Sequence, residues 1–433
     1  MIESGQSSVL LIGYVWPEPW SSAAGIRQWN LIRIFERAGW RIHFSSPSKT
    51  NEARKEIETA GIATSEIPAN DPRFDELLKE FRPDVVVFDR FIIEEQFGWR
   101  VAEVCPDALR VVDTQDLHSL RRAREAAISK GAPLEDVFEA RVELHTEDSL
   151  REIASIYRSD LSWVLSDFEQ KLLLERFQVP SDLLSVSRFC YAQEAREPGY
   201  VFRRHDLDGP AASEFGAREH FVMIGNFRHA PNADAVLWLK NEIWPRIRAK
   251  LPEAQVHIYG AYPPKEMMKL ESVKDGFLMK GHADDSVETL ARYRVNLAPL
   301  RFGAGIKGKI ADGWAAGTPV VTTPIGAEGM GFLGTAEWGG LVGSSVLEVS
   351  ELACKLYLDR EVWTRAAERG TRIFEDLFSF EKNSEKLLGD VDQARLKMRS
   401  RRRDNFVGAM LNHHLHKSTQ YFSRWIELKN RSK

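Results

Sequence analysis

The chain is poor in cysteine, holding three in 433 residues. Cys105, Cys190 and Cys354 stand too far apart for a disulfide framework or a cysteine-rich zinc site, a usage that fits a reducing cytoplasm. Long apolar runs are missing as well, and no stretch approaches the ~20 residues that a membrane-spanning helix needs. Met1 to Ser8 show neither the basic start nor the apolar core of a secretory signal, so a cytoplasmic location is expected. Neither sign of charge is in large excess. Lys plus Arg number 59 and Asp plus Glu 63, a net charge of −4, which excludes polyanion binding by overall charge. What is present suits a folded protein: 43% hydrophobic residues, 28% charged residues, and a length fit for two or three domains with full cores. The twelve tryptophans read first as core residues, with sugar or nucleotide stacking as the alternative.

The order of patterns points to a parallel α/β fold. The apolar run Val9 to Gly13 ends in glycine and leads through a polar loop to a helical pattern over residues 26–38, followed by a strand from Arg41 to Phe44. Buried-strand runs recur at 83–88, 109–113 and 161–166, with helical stretches between them. A second series starts at Phe221, with strand runs at 256–260, 276–279, 295–298 and 319–322 and helical patterns at 233–249, 286–293 and 310–316. Between the two series the chain is rich in Gly, Pro and charge. The expected organisation is an N-terminal Rossmann-like domain over 1–195, a linker over 196–219, a second Rossmann-like domain over 220–380 and a helical basic tail over 381–433. Two doubly wound sheets place ligands beyond the carboxyl ends of their strands, so the cleft between the domains is the expected site.

The tail is a local exception to the charge balance. From Arg395 to Lys433 eleven Lys and Arg face two acidic residues, giving +9 for the tail and −13 for the rest. Phe406, Met410, Phe422, Trp425 and Ile426 recur at helical spacing. A helix packed back on the first domain, then a peripheral contact with an anionic membrane, is the preferred reading; binding of nucleic acid is disfavoured though left open.

The stretch that carries most chemistry runs from Pro299 to Val321. A strand ends, a loop with Gly303, Gly305 and Gly308 follows, and a helix starts near Ile310. Glycines let backbone N–H groups approach an anion, and the helix N-terminus adds partial positive charge. Lys307, Lys309 and Arg301 offer neutralising charge for a diphosphate, and Asp312, three residues after Lys309, offers an acceptor for ribose hydroxyls. In the first half, Ser21, Ser22 and Gly25 open a helix as a cap or as a phosphate-touching loop. Asp116 and His118 follow a strand at an edge facing the cleft, with Arg121, Arg122 and Arg124 behind them as contacts for an anionic acceptor or as one solvated face. Asp284 and Asp285 read as a helix cap rather than a metal site, and the histidines near 413–416 lack the pattern of a zinc centre.

These residues resemble the two-domain, retaining, nucleotide-sugar-dependent glycosyltransferases of family 4, also called group 1, with the GT-B fold. The resemblance rests on Arg301 to Lys309, Ala315 to Thr323 and Gly326 to Gly329, with weaker stretches at Gly225 to Ala235, Gly281 to Asp285 and Asp113 to Arg121. It implies transfer of a sugar from a nucleoside diphosphate sugar, the co-substrate, to a glycan or lipid-linked acceptor with retained configuration and without a bound cofactor or metal. The implied catalytic residues are Lys309, Arg301 and His118. Donor contacts fall on Gly303, Gly305, Lys307, Lys309, Asp312, Arg228, Glu328 and Gly25, and acceptor contacts on Asp116, His118 and Arg121. Two departures stand out: many relatives carry two glutamates eight positions apart where this chain has Ala304 and Asp312, and many carry an arginine where it has Asn226, with Arg228 two residues on. A non-catalytic nucleotide-sugar-binding or scaffold protein, and an epimerase or phosphorylase on the same architecture, stay open as alternatives.

Overall fold

A computed structural model describes residues 5–191, 215–331 and 338–431. Two parallel sheets dominate it. The first contains β1 (Ser8–Ile12), β2 (Arg41–Ser46), β3 (Ala63–Glu66), β4 (Val85–Asp89), β5 (Leu109–Asp113), β6 (Leu161–Val164) and β7 (Leu184–Val186), in the order β3-β2-β1-β4-β5-β6-β7. The second contains β8 (Glu219–Ile224), β9 (Val256–Tyr259), β10 (Phe277–Gly281), β11 (Tyr293–Ala298), β12 (Val320–Thr322) and β13 (Gly340–Val342), in the order β10-β9-β8-β11-β12-β13. All neighbouring strands run parallel, because helices carry the chain back across the sheet faces. The central strands are apolar on both sides: Val9, Leu11, Val85, Val87 and Val111 pack in one cluster, Leu10, Ile12, Val86, Phe88 and Val112 in another on the opposite face. The fold is the expected pair of Rossmann-like domains of GT-B type with a helical C-terminal tail.

The order reverses between β1 and β4 and again between β8 and β11, so each sheet has a crevice where the loops leaving those two strands diverge. The linker expected at 196–219 falls mostly on 192–214, outside the described residues. Just before it, Tyr191 forms a parallel bridge with Ser379, where the chain leaves the second domain. Beyond Ser379 the helix Phe380–Asp404 returns to the first domain, burying Phe380, Leu387, Val391, Ala394 and Met398 against it. Trp238, Trp244 and Trp314 are core residues, as expected. Among the described residues no helix is long and apolar enough to cross a membrane.

Candidate active site

A cavity of about 940 Å³ lies between the domains. Its walls are the loops that leave β1, β4 and β5 on one side and β8, β9, β10 and β11 on the other, the strand ends where the crossover geometry opens both sheets.

On the N-terminal side, the loop after β1 ends at Ser22, whose hydroxyl accepts the N–H of Gly25 at 3.0 Å and caps the helix Ala23–Arg37. A Cβ on Gly25 would stand 2.3 Å from the Glu18 carbonyl oxygen, so close packing demands glycine there; Gly25 does not line the cavity. After β5 the helix His118–Ser129 begins. The carboxylate of Glu152 accepts the N–H groups of His118 and Ser119, both at 3.0 Å, and so caps this helix from a distance. The His118 Nε2 lies 3.0 Å from Asp116 Oδ1, and Arg121 Nε donates to Asp116 Oδ2 at 2.7 Å. Burial drives His118 down to about 4, leaving a neutral ring at neutral pH. Burial works against the Asp116 carboxylate too, but His118 and Arg121 outweigh it and hold Asp116 well below the usual range. The triad therefore presents a neutral imidazole beside a compensated ion pair, suited to hydrogen-bonding a hydroxyl.

On the C-terminal side, the helix Gly308–Ala315 points its N-terminus at the cavity. Lys309 Nζ donates to Asn232 Oδ1, and burial lowers its pKa to about 7. Asp312 accepts from Tyr191 Oη at 3.0 Å and Ser286 Oγ at 2.8 Å, and burial lifts it to about 6. Lys307 is turned inward: its ammonium donates to the carbonyls of Gly305 at 2.7 Å and Glu328 at 3.2 Å. Arg301 also turns from the cavity and forks onto Asp234. Glu328 lies in a domain-crossing ion pair, accepting from Arg124 at 2.7 and 3.0 Å.

The glycine loop has a use that its sequence does not suggest. The Gly305 N–H, an expected anion contact, donates to Glu169 of the N-terminal domain at 3.0 Å, and the Gly303 carbonyl accepts from Arg124 at 2.8 Å. Gly305 takes φ +67°, and a Cβ there would stand 2.9 Å from that of Asp116. The loop is therefore docked across the cleft rather than open to it at this point. Asn226 reaches across too, donating to the Ser21 carbonyl at 3.0 Å, while the Arg228 guanidinium lies 3.7 Å over the ring of Tyr262.

Of the expected residues, Asp116, His118, Arg121, Arg228, Gly303, Lys307, Lys309 and Asp312 line the cavity together; Gly25, Arg301, Gly305 and Glu328 do not. Ala304 lines it with a methyl group. Sequence reasoning passed over His229, a cavity residue held near 4 by burial, although it sits within the Gly225 to Ala235 stretch. It also missed Glu169 and Tyr191, whose roles exist only through contacts far along the chain; Arg124, expected as an acceptor contact or part of a solvated face, is instead buried on Glu328 and the Gly303 carbonyl, outside the cavity. Asp285 caps the helix Ser286–Ala291 by accepting the Glu288 N–H at 2.7 Å. Among the described residues no three His, Cys, Asp or Glu side chains are grouped to hold a metal ion.

This geometry invites comparison with known proteins. Residues 218–352 match the family model of the glycosyl transferases group 1. The resemblance read from the Arg301 to Lys309 and Gly326 to Gly329 stretches is thus borne out on the domain that carries them. Nine-tenths of the chain is similar in fold to solved glycosyltransferase structures. One from Rickettsia africae aligns with a TM-score of 0.63 at 12% identity over 90% of this chain and 99% of that one. Anabaena HepE in complex with UDP aligns at 0.66, 12% identity, over 90% and 100%. The pneumococcal O-GlcNAc transferase GtfA in complex with UDP and GlcNAc aligns at 0.62, 12% identity, over 90% and 99%. At such identities the likeness establishes the two-domain fold. No curated protein matches the sequence.

Proposed function

We propose that the chain is a glycosyltransferase moving a sugar from a nucleoside diphosphate sugar to an acceptor with retention of configuration, in glycan, polysaccharide or glycolipid synthesis. The observation that carries this reading is the cavity itself, where Lys309 and Asp312 of the group 1 segment face Asp116, His118 and Arg121 across the cleft. Lys309 and the N-terminus of its helix would meet the diphosphate, and positive charge there stabilises the charge that grows as the glycosidic bond breaks. The acceptor hydroxyl attacks the same face, and its proton passes to the departing phosphate oxygen, so no strong base is needed. His118, neutral and seated on Asp116, would orient a sugar hydroxyl. Asp312 would share a carboxylate oxygen with a ribose hydroxyl. Arg301, Lys307 and Glu328 act as charged supports of the loop in the closed arrangement, and Arg301 reaches a diphosphate only by leaving Asp234. No metal or resident cofactor enters this scheme. The UDP bound to HepE and GtfA makes uridine diphosphate sugars the first donors to test.

The tail supports an accompanying location. Tyr421, Phe422, Trp425 and Leu428 are exposed beside Arg424 and Lys429 on the helix Lys417–Arg431, a composition suited to a peripheral contact with the anionic inner face of a membrane, where lipid-linked acceptors reside. A second reading, a nucleotide-sugar-binding protein without transfer, is favoured by the methyl group of Ala304 in the cavity. Calorimetry against a panel of nucleoside diphosphate sugars, followed by product analysis, separates the two. Lys309→Ala is expected to abolish measurable donor binding and to cut transfer about 10²–10³-fold; unchanged turnover would remove Lys309 from the reaction.

A further inference from the structure

At the opposite, amino-terminal edge of the first sheet a second cavity, of about 220 Å³, opens between β5, the start of β6 and the C-terminal helices. It is well above the roughly 10–15 Å³ that a single water needs. Four arginines line it: Arg110, Arg158, Arg401 and Arg402. Arg158 is 1% exposed and Arg110 8%. The acids at hand are already engaged. Asp160 accepts two hydrogen bonds from Arg402, both at 2.7 Å, and the backbone N–H of Arg110 at 2.9 Å. Glu94 is forked by Arg158. Four guanidinium groups against two carboxylates leave a formal +2 around the space.

The donors left over are the telling feature. Arg158 Nη1 and Arg401 Nε are buried without a hydrogen-bond partner, while Arg110 Nε lies 3.6 Å from Asp160 Oδ2. Native interiors rarely leave buried donors unmatched, and for charged ones the penalty is larger. Guanidinium groups gathered around one space match a tetrahedral oxyanion, which offers several acceptor oxygens at once and compensates the excess charge. We infer that this cavity binds a phosphate dianion, either free or as the phosphomonoester end of a larger molecule. The site is separate from the donor cleft and independent of the proposed transfer reaction. The helix Phe406–Leu411 supplies one wall through Gly408 and Ala409 while leaving Phe406, Val407 and Met410 exposed, so a phosphomonoester carried by a lipid is one source of the anion.

The experiment titrates inorganic phosphate into the full chain by calorimetry, beside Arg401→Gln and Asn412→Asp. The second substitution puts a carboxylate on the cavity wall and removes no ion pair, so it decides the matter if the first variant melts early. Phosphate is expected to bind and to lose about tenfold or more in affinity in each variant. Lys309→Ala is expected to leave this event intact, which distinguishes it from phosphate held in the donor cleft. For the lipid source, sedimentation with phosphatidylcholine vesicles containing phosphatidic acid is compared with vesicles containing phosphatidylserine. An excess for phosphatidic acid that both substitutions abolish supports the site with a lipid-borne phosphate. The proposal is overturned if phosphate fails to bind and no such excess appears, or if whichever binding occurs survives both substitutions.

Discussion

Lys309 and Asp312 share a helix turn and a fate: burial pushes each toward its neutral form, to about 7 and about 6. For Lys309 the consequence lies in ligand binding. A diphosphate favours the charged amine, so below pH 7 the lysine is already protonated and donor affinity is level; above pH 7 binding must draw in a proton and affinity falls by up to about tenfold per unit. Calorimetry in buffers of different ionisation enthalpy at pH 8 should register that proton uptake. For Asp312 the consequence lies in stability. Its pKa is raised on folding, so the folded state loses stability as pH rises from about 4 to about 6. Asp312→Asn, whose amide can still pair with the Tyr191 and Ser286 hydroxyls, should raise Tm at pH 8 by an amount on the order of 1–3 kcal/mol in stability, and the gain should vanish below pH 4. A gain independent of pH would point to packing instead.

Arg27 shows the same physics at the scale of an element. It lies on the helix Ala23–Arg37, fully buried, and ties that helix to β5 and to the segment after β7: Nε and Nη2 contact Asp113 at 3.2 and 3.3 Å, Nη2 donates to Ser187 Oγ and Nη1 to the Arg188 carbonyl, both at 2.9 Å. Removing one partner of such a pair strands the other charge. Arg27→Met should cost about 3–5 kcal/mol in chemical denaturation, and pairing it with Asp113→Leu should recover much of the loss; equal losses in single and double variants would refute the ion-pair account. The elements themselves were unequally legible. The central strands stand out as runs such as Val85 to Phe88, because burial on both faces demands continuous apolar residues. β3, β7 and β13 escape sequence reading. They are three or four residues long and lie at sheet edges, where a single ladder neighbour suffices; Ala63 and Glu66 of β3 are exposed. The long helical pattern at 233–249 is interrupted by a π-helical turn at Leu239–Ile243, which leaves no mark on apolar spacing.

Across the whole molecule the two domains are held together by polar contacts that no local pattern announces. Arg124 of the first domain pairs with Glu328 and holds the Gly303 carbonyl, Glu169 takes the Gly305 N–H, and Tyr262 donates to Glu18 at 3.1 Å. Arg124→Met leaves Glu328 beside Lys307 without its main partner and should loosen the closed arrangement. The expected sign is a larger radius of gyration in small-angle scattering without donor, reduced again by saturating donor; an unchanged radius would mean that the remaining contacts suffice. Part of the tail's +9 is likewise spent within the molecule, where Arg395, Arg402 and Arg424 meet Asp84, Asp160 and Glu103. The sequence alone determined the two parallel α/β domains and the group 1 glycine-lysine stretch, since strand burial and loop chemistry are written in neighbouring residues. Tertiary structure alone decided which of those charges face the cleft and which are bound elsewhere. Lys309 stays with the cavity, Lys307 lines it while its ammonium turns to backbone carbonyls, and Arg301 and Glu328 stand outside on other partners, because the energy of a buried charge depends on groups brought to it from hundreds of residues away.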